Sequence, residues 1–166
     1  RHDFYVYFIE HYYPAEDEYR QGVDTITFKA VRSNPNAKVT DLELRDRVNL
    51  EIRSQNVFEA ILLDDEGYIT EGSRSSIFMI KDASIYTTPL VNVLPGITRS
   101  KILEICSLRN HRLVERRLSP AELAEMDAVF LTGTSPQVLP IKQVDDMIFA
   151  SAAHPLVIDI MKQYDD

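Results

Sequence analysis

FEAILLDDEGYITEGSRSSIF, residues 58–78, is the stretch whose reading decides the fold. Val57–Leu63 is a short, almost continuously apolar run, long enough for a strand and too short for a helix. It stops at Asp64-Asp65-Glu66-Gly67, a turn composition. Tyr68–Thr70 and Ile77–Ile80 are two further strands, and Ile85–Thr88 a fourth beyond a turn at Asp82-Ala83. Strands of this length and spacing predict a meander of antiparallel hairpins. Working outward toward the start, Leu44, Val48 and Ile52 recur at helical spacing and predict a helix over Leu42–Gln55, with Asp41 as N-cap. Phe4–Ile9 and Val23–Val31 are β-branched and aromatic strands, joined by a polar connection that includes Tyr12-Tyr13-Pro14. Toward the end, Pro95-Gly96 breaks the chain before a helix over Thr98–Leu108 whose apolar side carries Ile102, Leu103, Ile105 and Cys106. Leu113–Arg117 is a strand, and Ser119-Pro120 with Glu122 marks a helix start. Ala128–Leu131 and Val138–Val144 are strands, and a last helix begins near His154-Pro155. Many strands and a few helices, without regular βαβ alternation, make one α+β domain over 1–166 rather than a doubly wound fold.

Composition narrows the function classes. A net charge of −8 and a pI near 5.0 argue against nucleic acid and against an anionic membrane surface, both of which need a basic face. A local site can still be positive and take an anion. Cys106 is the only cysteine, so no internal disulfide forms, and a reducing cytoplasmic setting is expected, with Cys106 as a core residue. His2, His11, His111 and His154 share no metal-ligand spacing, so no metal is expected. No apolar run reaches membrane-spanning length. The chain opens almost directly into a strand, which suggests that an upstream part is absent.

Three segments stand out as places for chemistry. In LPGITR, residues 94–99, a tight turn opens straight into a helix, whose first free amides and positive dipole end suit an anion. Read alone, it is more often a helix cap. In LTGTSP, residues 131–136, a hydrophobic strand ends in small hydroxyl residues around a glycine, and such loops present amides and hydroxyls to ligands. In isolation a polar turn is an equal reading. In TEGSRSSIF, residues 70–78, an acid and a run of small polar residues separate two strands, which by itself is more often a solvated turn.

Taken together and in this order, FEAILLDDEGYITEGSRSSIF, LPGITR and DAVFLTGTSPQVLPI resemble the class IV (fold-type IV) aminotransferases, a family that includes branched-chain aminotransferases, D-amino-acid aminotransferases and aminodeoxychorismate lyases. The resemblance runs from about Pro35 to Asp145. It implies the large, C-terminal, cofactor-binding domain of the D-amino-acid-aminotransferase-like fold, a mixed and largely antiparallel, barrel-like sheet with a few packed helices. It implies pyridoxal 5'-phosphate as cofactor, an amino acid and a 2-oxo acid as substrates, and a homodimer. By resemblance the Schiff-base lysine is Lys38, which stands 21 positions before Glu59; Lys29, within a strand, is its rival. Such an amine must shed its proton to react, so it needs partial burial or a cationic neighbour.

The same resemblance makes Glu71 the acid that pairs with the cofactor ring nitrogen. Ile97, Thr98 and Thr134 become the phosphate cradle, and the amides of Thr134 and Ser135 the seat of a substrate carboxylate. Arg74 stands where the family usually has a small residue near the cofactor ring, so it contacts cofactor or substrate or reaches solvent. Ser76 and Asp41 stand where asparagine is usual. The family's small N-terminal domain, with its phosphate-binding arginine, has no counterpart in these residues. A transaminase acting on branched-chain or D-amino acids is the leading expectation. Aminodeoxychorismate lyase and a non-catalytic domain of the same fold are the alternatives.

Overall fold

The computed structural model describes Val6, residues 12–30 and residues 42–165. The expected strand Phe4–Ile9 falls almost wholly outside them, as do Lys38 and Asp41. The first half holds α1 (Glu16–Gln21), β1 (Val23–Lys29), α2 (Leu42–Gln55), β2 (Glu59–Leu63), β3 (Ile69–Gly72), β4 (Ser76–Lys81) and β5 (Ser84–Thr87). The second holds α3 (Ile97–Leu108), β6 (Arg112–Glu115), α4 (Pro120–Leu123), β7 (Ala128–Gly133), β8 (Gln137–Val144), β9 (Met147–Ile148) and α5 (Pro155–Asp165). The mixed α+β class expected from sequence is the class observed.

The nine strands among the described residues form one sheet in the order β3-β2-β1-β8-β7-β4-β5-β6, with β9 paired to β8. β2–β3, β4–β5, β4–β7, β7–β8 and β8–β9 are antiparallel, whereas β1–β2, β1–β8 and β5–β6 are parallel. The expected meander is therefore corrected. β2–β3 and β4–β5 are hairpins, but β4 leaves β3 and pairs with β7. α2 and α3 are crossovers between parallel neighbours, a pairing that local sequence does not announce.

The path dictates a curled sheet. β3 and β4 are five neighbours apart along the sheet, about 24 Å if it were flat. Only four Cα steps join Gly72 to Ser76, a reach of about 15 Å at most. The sheet closes on itself like part of a barrel, and β3 meets β4 across the opening.

Alternation along the strands sorts the core into layers. Ile61, Ile69, Ile77, Met79, Val129, Leu131, Leu139 and Ile141 fill the inside of the curl. Phe78, Ile80, Ala128, Phe130 and Val138 face outward and are covered by α3 and α5, with the Phe78 and Phe130 rings stacked 5.2 Å apart. The predicted stripe of α2 buries Val48, with Leu44 and Ile52, on the outer residues Ala60 and Leu62 of β2. The segment expected to be a polar connection contains α1, a correction with a local cause. α1 buries no residue, so it has no apolar stripe to read. It is held by Glu16, Asp17 and Glu18 in its first turn, near the positive dipole end, and by the Ala15 N–H donating to Glu18 Oε2 at 2.7 Å. The Ser119 capping box is present: Glu122 N–H donates to Ser119 Oγ at 3.3 Å, and Ser119 N–H to Glu122 Oε2 at 2.9 Å.

Candidate active site

α3 starts as the sequence suggests, one residue earlier. Gly96 is its N-cap and offers no side-chain cap, so the first amides of this 12-residue helix are left to other acceptors. Just before it, the Leu94 N–H donates to Glu71 Oε2 at 3.2 Å. Glu71 is 4% exposed, so a carboxyl group buried at the end of β3 lies against the turn that opens α3. A Cβ placed on Gly96 would sit 3.7 Å from Ser76 Oγ, which brings the same turn over the start of β4. Arg99 ties the helix end down. It is 3% exposed, and its Nη2 donates to the Thr88 carbonyl at 3.1 Å and to Glu115 Oε1 at 2.7 Å. Thr88 in turn donates its hydroxyl to the Ile69 carbonyl on β3 at 3.0 Å.

The link between Glu71 and Ser76 is bound to the start of β2. The Arg74 N–H donates to Glu59 Oε1 at 2.5 Å, the Ser73 hydroxyl donates to the same oxygen at 3.3 Å, and the Ser73 N–H donates to the Ala60 carbonyl at 2.9 Å. Glu59 is 1% exposed, and burial pushes its carboxyl above the ordinary range, with Arg74, Ser75 and Ser73 opposing. Gly72 leaves the room for this, because a Cβ there would lie 2.7 Å from Glu59 Oε1 and press on Ser75 Oγ, so both side chains would have to shift.

The β7–β8 loop completes the corner. A Cβ on Gly133 would meet the Pro136 ring at 3.2 Å and the Arg74 carbonyl at 3.6 Å, so Thr134-Ser135-Pro136 folds back against the β3–β4 link. The Tyr19 hydroxyl of α1 donates to the Pro136 carbonyl at 3.2 Å. Thr132 stands opposite Ser76 in the β4–β7 register, on the outward face shared with Phe130 and Phe78. Its hydroxyl is fully buried and has no hydrogen-bond partner among the described residues.

The expected site residues are thus partly gathered. Glu71 meets the α3 turn ahead of Ile97 and Thr98, and the Arg74 backbone meets the Thr134 loop. Ile97 is 89% exposed, so only its amide is suited to an anion at the helix start. The Arg74 guanidinium turns to the Phe58 carbonyl, 2.7 Å away, and lies 5.9 Å from the Phe58 ring centroid. A cavity of about 490 Å³ between α1, α2 and the starts of β1 and β2 is lined by Tyr12, Asp24, Phe58 and Lys142, and of the expected residues only Arg74 reaches it. Lys38 lies outside the described residues. Sequence reasoning did not single out Glu59, Arg99 or Thr132. The parity of Thr132 with Phe130 was a readable signal, whereas nothing local marks an acid in an apolar strand as a clamp. Among the described residues no cluster of His, Cys, Asp or Glu could hold a metal ion, and no helix is long and apolar enough to cross a membrane.

The model of amino-transferase class IV matches residues 1–144. The chain belongs to the class IV aminotransferases. It is 35% identical over 161 residues to a branched-chain-amino-acid aminotransferase of Pseudomonas aeruginosa, covering 93% of this chain and 52% of that protein. It is 34% identical over 141 residues to a D-alanine aminotransferase of Bacillus licheniformis, covering 83% of this chain and 49% of that protein. Among solved structures, the branched-chain amino acid aminotransferase of Escherichia coli superposes with a TM-score of 0.74 at 30% identity, over 86% of this chain and 50% of that one. A further branched-chain amino acid aminotransferase, solved with pyridoxamine 5'-phosphate, superposes with a TM-score of 0.81 at 29% identity, over 90% of this chain and 52% of that one. This class IV chain spans about half the length of the curated relatives it matches. Its curled sheet is the fold of those class IV structures.

Proposed function

We propose that the protein is a pyridoxal 5'-phosphate-dependent transaminase that moves an amino group between an amino acid, branched-chain or D-, and a 2-oxo acid. The observation that carries this reading is the buried Glu71 carboxyl held against the uncapped N-terminus of α3. The cofactor joins a basic ring nitrogen to a phosphate, and this donor set fits both ends: a buried acid for the nitrogen, and open helix amides with hydroxyls for the phosphate. Bound there, pyridoxal 5'-phosphate supplies an aldehyde and an electron-accepting ring.

The chain's own residues would act as follows. Glu71 holds a proton on the ring nitrogen. The amides of Ile97 and Thr98 receive the phosphate with the helix dipole behind them, and the hydroxyls of Thr98 and Thr134 add donors. The amides of Thr134 and Ser135 orient a substrate carboxylate. Lys38 is assigned by resemblance alone and moves a proton at the substrate α-carbon through its Nζ. Arg74 borders the Thr134 loop through its backbone, with its guanidinium on Phe58. The resemblance also supports a homodimer, and the single cysteine, Cys106, supports a reducing, cytoplasmic setting.

The test uses the full-length protein. It should be yellow with pyridoxal 5'-phosphate and should transfer an amino group from leucine or D-alanine to 2-oxoglutarate. Lys38→Ala should abolish the covalent, borohydride-reducible imine link to the cofactor and the transfer. Pyruvate released from aminodeoxychorismate without an acceptor would select the lyase instead. A colourless protein indifferent to added cofactor would sink both enzyme readings.

A further inference from the structure

Glu59 is a buried acid for which the transaminase reading has no use. It sits at the start of β2, faces the inside of the curl with Ile61, and is 1% exposed. An acid is costly at such a place unless its oxygens are engaged. The link from β3 to β4 engages them. Arg74 N–H and Ser73 Oγ donate to Glu59 Oε1, at 2.5 and 3.3 Å. Gly72 leaves the space that brings the carboxyl against the link, since a Cβ there would stand 2.7 Å from the same oxygen. The flanking contacts agree: the Ser73 N–H donates to the Ala60 carbonyl, and the Arg74 guanidinium to the Phe58 carbonyl. All of these anchors come from Phe58, Glu59 and Ala60, and Glu71 stands immediately before the segment they hold.

We infer that Glu59 is a positioning residue: by clamping Gly72–Arg74 to β2 it fixes the Glu71 carboxyl in front of the α3 turn, where it meets the cofactor ring nitrogen. The inference rests on the proposed role of Glu71. Glu59 acts through Glu71 and touches neither cofactor nor substrate. Without the carboxyl, Ser73 and Arg74 keep their bonds to Ala60 and Phe58 but lose the acceptor that draws the end of β3 down, and Glu71, one residue before Gly72, shifts its side chain away from the α3 turn. The predicted defect therefore centres on the ring nitrogen and leaves the Ile97 and Thr98 amides of the phosphate seat in place.

The experiment compares affinity for pyridoxal 5'-phosphate with affinity for its 1-deaza analogue, in which C–H replaces the ring nitrogen, by absorbance and fluorescence titration of the full-length protein. The unmodified protein should prefer the natural cofactor by about tenfold or more, the worth of one charge-assisted hydrogen bond. Glu71→Ala should erase that preference. Glu59→Ala should erase most of it too, while affinity for the deaza analogue stays within about threefold and Glu59→Gln, which keeps an acceptor, retains the preference. Should Glu59→Ala not fold, Glu59→Asp shortens the reach by one methylene and should lower the preference with the fold intact. Denaturant midpoints taken alongside separate the two roles, because a merely structural Glu59 lowers the midpoint and leaves the preference of the folded protein unchanged. A preference erased by Glu71→Ala but kept by the Glu59 variants overturns the inference and spares the functional reading. A preference that survives Glu71→Ala, or is absent from the unmodified protein, overturns the reading itself.

Discussion

Replacing Arg99 by alanine tests whether the N-terminus of α3 is held by its buried cation or by apolar packing alone. Three changes set the magnitude. The Thr88 carbonyl, on a residue 1% exposed, loses its donor, which costs about 1–3 kcal/mol. The pair with Glu115 is lost, but that side chain is 39% exposed and rehydrates, so this part is only about 0.2–1 kcal/mol. Two buried methylenes go, at about 0.8 kcal/mol each, while removing a desolvated guanidinium returns part of the total. The expected net is a loss of about 2–4 kcal/mol of unfolding free energy. Urea titration followed by circular dichroism reads it, and a double-mutant cycle with Glu115→Ala should assign no more than about 1 kcal/mol to the ion pair. Arg99→Met keeps the stem and should recover the methylene share. A loss under about 0.5 kcal/mol would refute the reasoning, because desolvation would then have cancelled both hydrogen bonds and the helix would rest on Ile102, Ile105 and Cys106.

Two further outcomes follow from groups outside the site. The Arg116 guanidinium, with the Ser119 N–H and hydroxyl, pulls the Glu122 carboxyl from its ordinary 4.5 down to about 2. A depressed carboxyl contributes stability that is present above pH 4.5 and lost as pH falls toward 2, so Glu122→Gln should flatten the acid limb of a stability-against-pH curve in that window and leave pH 7 to 8 almost parallel to the unmodified protein. An unchanged acid limb would contradict this. Burial pushes the Cys106 thiol up to about 11, under α3 and against the outer face of the sheet. Iodoacetamide at pH 8 should leave it unmodified in the native protein and alkylate it in denaturant, and rapid native labelling would show that this layer opens.

How much could be read in advance differs between elements and pairings. The helix over Leu42–Gln55 was legible because Leu44, Val48 and Ile52 repeat at helical spacing, and the Ser119 start because a capping box is local chemistry. α1 was not legible, since a helix with no buried residue carries no apolar period. Within the site, Glu71 and the Gly96-Ile97-Thr98 turn were marked by ordered motifs, and the parity of Thr132 with Phe130 signalled its burial, whereas the clamp at Glu59 and the tie at Arg99 each depend on a partner on another strand or helix.

Residue order alone settled the class, most of the described strands and helices, and the family, because periodicity, caps and ordered motifs act over a few residues each. The tertiary structure decided which strands pair. It took β4 from the expected meander to β7, and so forced Gly72–Ser76 to bridge a curled sheet. That closure sets Glu71 beside Leu94, 23 residues on, and sets Glu59 beneath Arg74, 15 residues on. Contacts of this kind are chosen by non-local pairing and shared burial, for which no short window of sequence holds the partner.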